Sequence, residues 1–208
     1  MPKSSTVARG RRRGEELQHA LYAAALAELT EFGYGGLTME GIAVRARTGK
    51  SAVYRRWPTK HALVLDALRH VLPAIPEHRA DRSPRANLMA IFTAHCDVLA
   101  GKTGFPGFDI IGQLVHEPQL RAIFAEELIA PRLAVIESVL RGAEASGEIE
   151  AGTITPLRAR IGPALIVQQF LLTGVPPSRR EVIQIIDTLL PGAPSSGSRG
   201  GSAERPCH

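Results

Sequence analysis

Between residues 37 and 60 the chain reads "LTMEGIAVRARTGKSAVYRRWPTK", a stretch that leaves little choice of local structure. Thr38 stands just before a helical pattern, where its hydroxyl accepts a backbone N–H and caps the helix. The N3 position is Gly41 rather than Glu or Gln, so no reciprocal capping box forms. Ile42, Ala43 and Ala46 give this helix a small inner face. Arg47 to Gly49 makes a tight turn into a third helix over about 50–57. There Val53 and Trp57 face a core, while Lys50, Ser51, Tyr54 and Arg55 face outward together. Upstream, Leu17, Leu21, Ala24, Leu29 and Phe32 keep helical spacing over 15–32, and Gly33 ends that helix before the turn "GYGG". Short helices joined by such a turn make a helix-turn-helix.

The run Gly49-Lys50-Ser51 also ends a nucleotide-binding phosphate loop. That loop requires glycine five residues before Gly49, where Val44 stands, and a buried strand upstream, where a capped helix is read. The charge distribution points to a longer polyanion. Residues 1–60 hold eleven Lys or Arg and five Glu, a net +6, whereas the whole chain is only +5, which leaves −1 over residues 61–208. A basic first third on a neutral body suggests a polyanion-binding module.

Beyond residue 60 the patterns are helical and β-branched alternation is scarce, so the fold is expected to be all-α. "KHALVLDALRHVL" is a connecting helix ended by Pro73 and Pro76. Ser83-Pro84 is a cap followed by proline at the first helical position, opening a helix to about residue 100. "FDIIGQLVHE" is a short helix after the loop "GKTGFPG". A long helical pattern runs from Pro118 to about residue 145, with a kink expected at Pro131. "TPLRARIGPALIVQQFLLTG" and "SRREVIQIIDTLL" are the last two helices. The expected organisation is a basic flexible arm over 1–14, a three-helix module over 15–60, a larger helical domain over 61–190 and a disordered Gly/Ser/Pro-rich tail over 191–208. Two cysteines, Cys96 and Cys207, imply no disulfide framework and fit a reducing cytoplasm. No apolar secretory segment directly follows the basic N-terminus. The longest apolar stretch, near 161–175, is interrupted by Gln168 and Gln169 and is too polar for a membrane span.

The segment Leu37 to Lys60 resembles the DNA-binding motif of the tetracycline-repressor (TetR) family: a threonine cap, the pair Ile42-Ala43, a turn, Lys50 and Tyr54 on the third helix, then Trp57 and "PTK". The resemblance is specific over residues 15–68 and weaker over the body. It implies a helix-turn-helix reading double-stranded DNA and a larger ligand-binding and dimerisation domain. Residue by residue, it sets the Thr38-capped helix N-terminus against a phosphate. It places the Tyr54 hydroxyl and Lys60 on phosphates, and Lys50, Ser51 and Arg55 on base edges in the major groove. The turn residues Arg47 and Thr48 join the interface, with Arg56 and Arg11, Arg12 and Arg13 on phosphates or the minor groove. The family often has glycine where this chain has Arg47. A left-handed residue there would cost a non-glycine side chain about 1 kcal/mol, unless Gly49 absorbs the turn.

No enzyme is read here. His95, Cys96 and Asp97 are adjacent on a helix and diverge, so they do not share a metal ion, and His116-Glu117 has no nucleophile nearby in sequence. No cofactor is expected. His95, Gln113, His116, Gln168 and Gln169 interrupt apolar helices. The family's central helices enclose a ligand cavity, and the resemblance nominates His95, Cys96, Gln113, His116 and Gln168 with Phe92, Phe108, Phe124 and Phe170 as its lining. "IGPALIVQQFLL" and "VIQIIDTLL" carry apolar residues around much of the helix circumference, so a homodimer is expected through helices over about 155–174 and 178–190, with Ile185 on the interface. The resulting reading is a homodimeric repressor, released from a palindromic operator by a small hydrophobic ligand. The alternative is a DNA-binding regulator controlled by a protein partner.

Overall fold

A computed structural model describes residues 4–105 and 107–191, with side chains from residue 14 onward except 107–109 and 111. The expectations for the arm side chains, for Phe108 and for residues 192–208 of the tail therefore fall outside what is described. Among the described residues there are helices and no strands.

The first helix, α1, spans Ser4–Gly36 and is interrupted at Gly33, whose φ of 70° and ψ of 172° are non-helical. Residues 4–14, expected as a flexible arm, continue this helix. The segment has arginines, an alanine and no proline after Ser4, so the helix propagates backward through Gly14 and Gly10, which weaken a helix without blocking it. Then follow α2 (Met39–Arg45), α3 (Lys50–Tyr54) and α4 (Lys60–Val71). The Thr59 hydroxyl caps α4, accepting the Ala62 N–H at 3.1 Å. An extended stretch leads to α5 (Pro84–Leu99), capped by Ser83 with proline at its first turn as expected. The chain continues through α6 (Gly107–His116), α7 (Pro118–Ile123) and α8 (Ala130–Ala145) to α9 (Pro156–Thr173) and α10 (Arg179–Leu189).

The kink expected at Pro131 takes the form of a π-helical turn, Phe124–Ile129, just before α8. Proline has no N–H and its ring crowds the carbonyl four residues back, and a wider turn relieves both problems.

Two apolar clusters hold these helices. The first joins α1–α4 and extends through Val98, Phe105, Ile110, Leu120, Ile123 and Leu128. The second lies among α5, α8, α9 and α10. The expected division after residue 60 therefore cuts through a core, because Leu63, Val64, Ala67 and Leu68 of α4 are buried with α1. In the second cluster the Phe92 ring of α5 lies across Gly162 of α9. A β-carbon at Gly162 would fall 2.2 Å from Phe92 Cζ. Gly162→Ala is expected to lower stability by about 2 kcal/mol through overpacking, although alanine is the better helix former by about 1 kcal/mol. Urea unfolding checks this, and an unchanged or higher midpoint would contradict the packing.

Candidate nucleic-acid interface

The outward face of α3 depends on the turn that precedes it. Thr38 caps α2, its Oγ1 accepting the Gly41 N–H at 3.0 Å. At the other end Arg47 N–H reaches Val44 O at 3.0 Å and Thr48 N–H reaches Ala43 O at 2.9 Å. Those two bonds form a Schellman ending, which places a left-handed residue just past the helix cap. That residue is Arg47, at φ 52°, while Gly49 has an ordinary φ of −78°. The strain thus falls on Arg47 and not on Gly49. Gly41 has a separate reason to be glycine: its β-carbon would lie 2.5 Å from Glu28 Oε2. Glu28 is buried and accepts from Arg45 Nε at 2.8 Å, which fixes α2 on α1.

On α3 and the residues just after it, Val53 is fully buried and Trp57 nearly so, while Lys50, Ser51, Tyr54 and Arg55 are exposed. The expected division of faces therefore holds. Tyr54 is 41% exposed, and Lys50 Nζ sits 5.5 Å from its ring centroid. Lys50 is also paired with Glu40 of α2. Arg47 is exposed and Thr48 half-buried beside them, with Thr38 exposed at the start of α2. The backbone of Arg11 to Arg13 lies on α1.

Two residues expected on phosphates are used internally. Lys60 Nζ donates to Tyr34 O at 2.7 Å, Leu37 O at 3.3 Å and Gly35 O at 3.4 Å, and lies 4.7 Å from the Tyr34 ring centroid. Its three donors satisfy carbonyls left open where α1 ends, so Lys60 fastens the α1–α2 turn to α4. Arg56 is half-buried and donates to Gly14 O at 3.1 Å, tying the end of α3 to α1.

Several supporting residues had no local signal in the sequence. Asp66 of α4 accepts from Trp57 Nε1 and from the Tyr22 hydroxyl, both at 2.9 Å, and Gln18 donates to that hydroxyl at 2.6 Å. Glu117 accepts the Gly35 N–H at 3.1 Å, and Gln113 Nε2 donates to Leu29 O at 2.7 Å. Gln18 and Tyr22 are four apart on α1, but the partners of Asp66, Glu117 and Gln113 lie 9 to 84 residues away, outside any helical repeat, so no spacing rule marks those pairs.

The nominated ligand-lining residues do not converge as a set. Phe92, Cys96 and Phe170 are buried in the second cluster, whereas Phe124 packs on Phe105 at 6.2 Å beside the first. Gln113 is committed to α1, and its Oε1 is buried without a partner among the described residues. His116 and Gln168 are exposed, because their helices turn other residues inward. His95 is largely out of water, and burial pushes its imidazole down to about 4. Burial likewise pushes the Cys96 thiol up to about 11.

Arg47→Gly removes the left-handed strain and should stabilise the protein by about 0.5–1 kcal/mol, part of the relief being offset by glycine's greater freedom when unfolded. Chemical denaturation checks this, and a destabilised variant would contradict the strained turn.

Residues 21–67 match the description "Bacterial regulatory proteins, tetR family", and residues 80–189 match "Tetracyclin repressor-like, C-terminal domain". An HTH-type transcriptional regulator of Mycobacterium tuberculosis is 28% identical over 174 residues, covering 82% of this chain and 84% of its own. The DNA-binding transcriptional repressor TetR of Mycobacteroides abscessus is 26% identical over 166 residues, 78% of this chain and 86% of its own. Among solved structures, FadR of Bacillus subtilis in complex with stearoyl-CoA has the same fold at a TM-score of 0.60 and 17% identity, covering 84% of this chain and 98% of that one. No helix among the described residues is long and apolar enough to cross a membrane. With the motif, the helical body and both matches in agreement, the chain belongs to the tetR family of DNA-binding transcriptional regulators.

Proposed function

We propose that this regulator is a homodimeric cytoplasmic repressor that binds a palindromic operator and leaves it when a small hydrophobic ligand enters the body. The observation that carries the dimer is a stripe on α9. Leu157, Ile161, Leu165 and Leu172 are 70%, 38%, 36% and 78% exposed, spaced by four and then seven along one side of the helix. The opposite side buries Ala159, Gly162, Ile166 and Phe170 in the chain's own core. A helix apolar on two sides needs a second apolar neighbour, and a second copy supplies one by two-fold symmetry. The interface expected on both last helices thus shifts mainly to α9. On α10, Val182, Ile185, Ile186 and Leu189 all face the chain's own core, leaving Gln184 and Asp187 for the rim. Ile185 is therefore not an interface residue.

In this reading Lys50, Ser51 and Arg55 reach base edges, while Thr38, Arg47, Thr48 and Tyr54 position α2 and α3 on phosphates. Arg11, Arg12 and Arg13 add phosphate or minor-groove contacts. Lys50 leaves Glu40 for the DNA, an exchange that costs little because an exposed pair is worth about 0–1 kcal/mol. The repressor named in Mycobacteroides abscessus supports repression, and the acyl-CoA complex of the Bacillus subtilis neighbour supports a ligand in the body.

Leu165→Glu places an unpaired charge at the stripe and should convert the dimer to a monomer in sedimentation velocity. The thermal melt should stay cooperative, and operator affinity should fall by at least about a hundredfold as one two-headed contact becomes two separate ones. Dimers that persist, or a monomer that holds a palindrome undiminished, would overturn the reading.

A further inference from the structure

The outward side of α2 is poorly made for phosphates. Glu40 and Val44 lie one turn apart on it, and Val44 is 78% exposed. Met39, Ile42 and Ala43 face the core, while Arg45 turns back to Glu28 and Glu31 of α1. A helix that met only the phosphate backbone would present cations on this side. Glu40 also stands two residues after Thr38, in the first turn of α2. A carboxylate there competes with a phosphate for the positive end of the helix.

The same carboxylate pairs with Nζ of Lys50, the first residue of α3. Both side chains are 54% exposed, and they come from different helices. An acid is thus held at the head of the reading helix, against the group that reaches a base edge in the reading above. When Lys50 turns to its base, Glu40 is left facing DNA without its cation.

A carboxylate accepts hydrogen bonds and donates none. The major groove offers it two kinds of donor, the N4 amino group of cytosine and the N6 amino group of adenine. The adenine group lies between two acceptors, its own N7 and the O4 of thymine, and both repel a carboxylate. The cytosine group has an acceptor on one side only, the guanine O6.

We propose that Glu40 is a specificity-determining residue, which accepts the N4 amino group of one cytosine in each half-site. The proposal rests on the reading that places α3 in the major groove. Glu40 then serves discrimination more than affinity. Its charge repels every duplex, and only a cytosine at one position offsets that repulsion.

The test uses the full-length protein and its Glu40→Ala and Glu40→Gln variants, each selecting from random duplexes. The selected duplexes and a scrambled one are then titrated over a range of salt. Wild type should require cytosine at one position of each half-site. In Glu40→Ala that position should become degenerate while the others persist, the preference for cytosine falling by about tenfold. Affinity for the scrambled duplex should rise as a negative charge is lost, and the salt slope should stay the same because no phosphate contact is removed. Glu40→Gln should move the preference from cytosine to adenine, whose N6 and N7 an amide meets with both of its groups. The same base preference in wild type and both variants would overturn the proposal. So would an equal loss on all duplexes, which is the result expected of an acid that only stabilises its helix. Lys50→Ala and Arg55→Ala separate the two readings. If these shift the selected sequence and the Glu40 variants do not, α3 reads DNA and Glu40 does not. If none of the four shifts it, the placement of α3 on base edges falls as well.

Discussion

The reading helix is only five residues long, Lys50–Tyr54, and the function depends on that constraint. A helix of this length has no stability of its own in water, because nucleation is not repaid by so few bonds. Its direction has to be imposed from outside. Val53 is buried in the cluster that α3 shares with α1, α2 and α4, and Trp57 anchors the end of the segment through Asp66 of α4. Tyr22 of α1 shares the same carboxylate oxygen region, and Arg56 binds the α1 backbone. The outward set Lys50, Ser51, Tyr54 and Arg55 is therefore aimed by α1 and α4 rather than by α3.

That dependence makes α4 the helix that links the reader to the rest of the chain. Its first residue, Lys60, gathers the carbonyls of the α1–α2 turn, and its last turn carries Arg69 to Glu127. The turn is also held from the body, by Glu117 on the Gly35 N–H and by Gln113 on Leu29 O. A single continuous core runs under these contacts, from α1 through α4 to Leu120 and Leu128. The contacts of α6, α4 and Glu117 therefore converge on the end of α1 and the α1–α2 turn, against which α2 is set. The boundary read at residue 60 falls within this continuous core.

Local rules made the helices legible. Thr38 and Ser83 cap helices as the sequence suggested, and a hydroxyl that caps acts within three residues of itself; Thr59, Thr155 and Ser178 cap in the same way. The turn at Arg47 was legible for the same reason, since its Schellman bonds span five residues. The internal bonds of Lys60 and Arg56 were not legible, because their acceptors lie 26 and 42 residues away in the chain. The burial of Ile185 in the chain's own core was not legible, because counting apolar residues does not say which side of α10 faces that core. Its placement follows from α5 and α9 covering that side.

The central claim is that two such readers are joined rigidly by symmetry. Selection of bound sequences from a pool of random duplexes by the full-length protein tests it most directly. The account predicts an enriched inverted repeat whose half-site centres lie about 10 base pairs, or a multiple of that, apart. Enrichment of a single asymmetric half-site, or of no sequence beyond general affinity for duplex DNA, would contradict it.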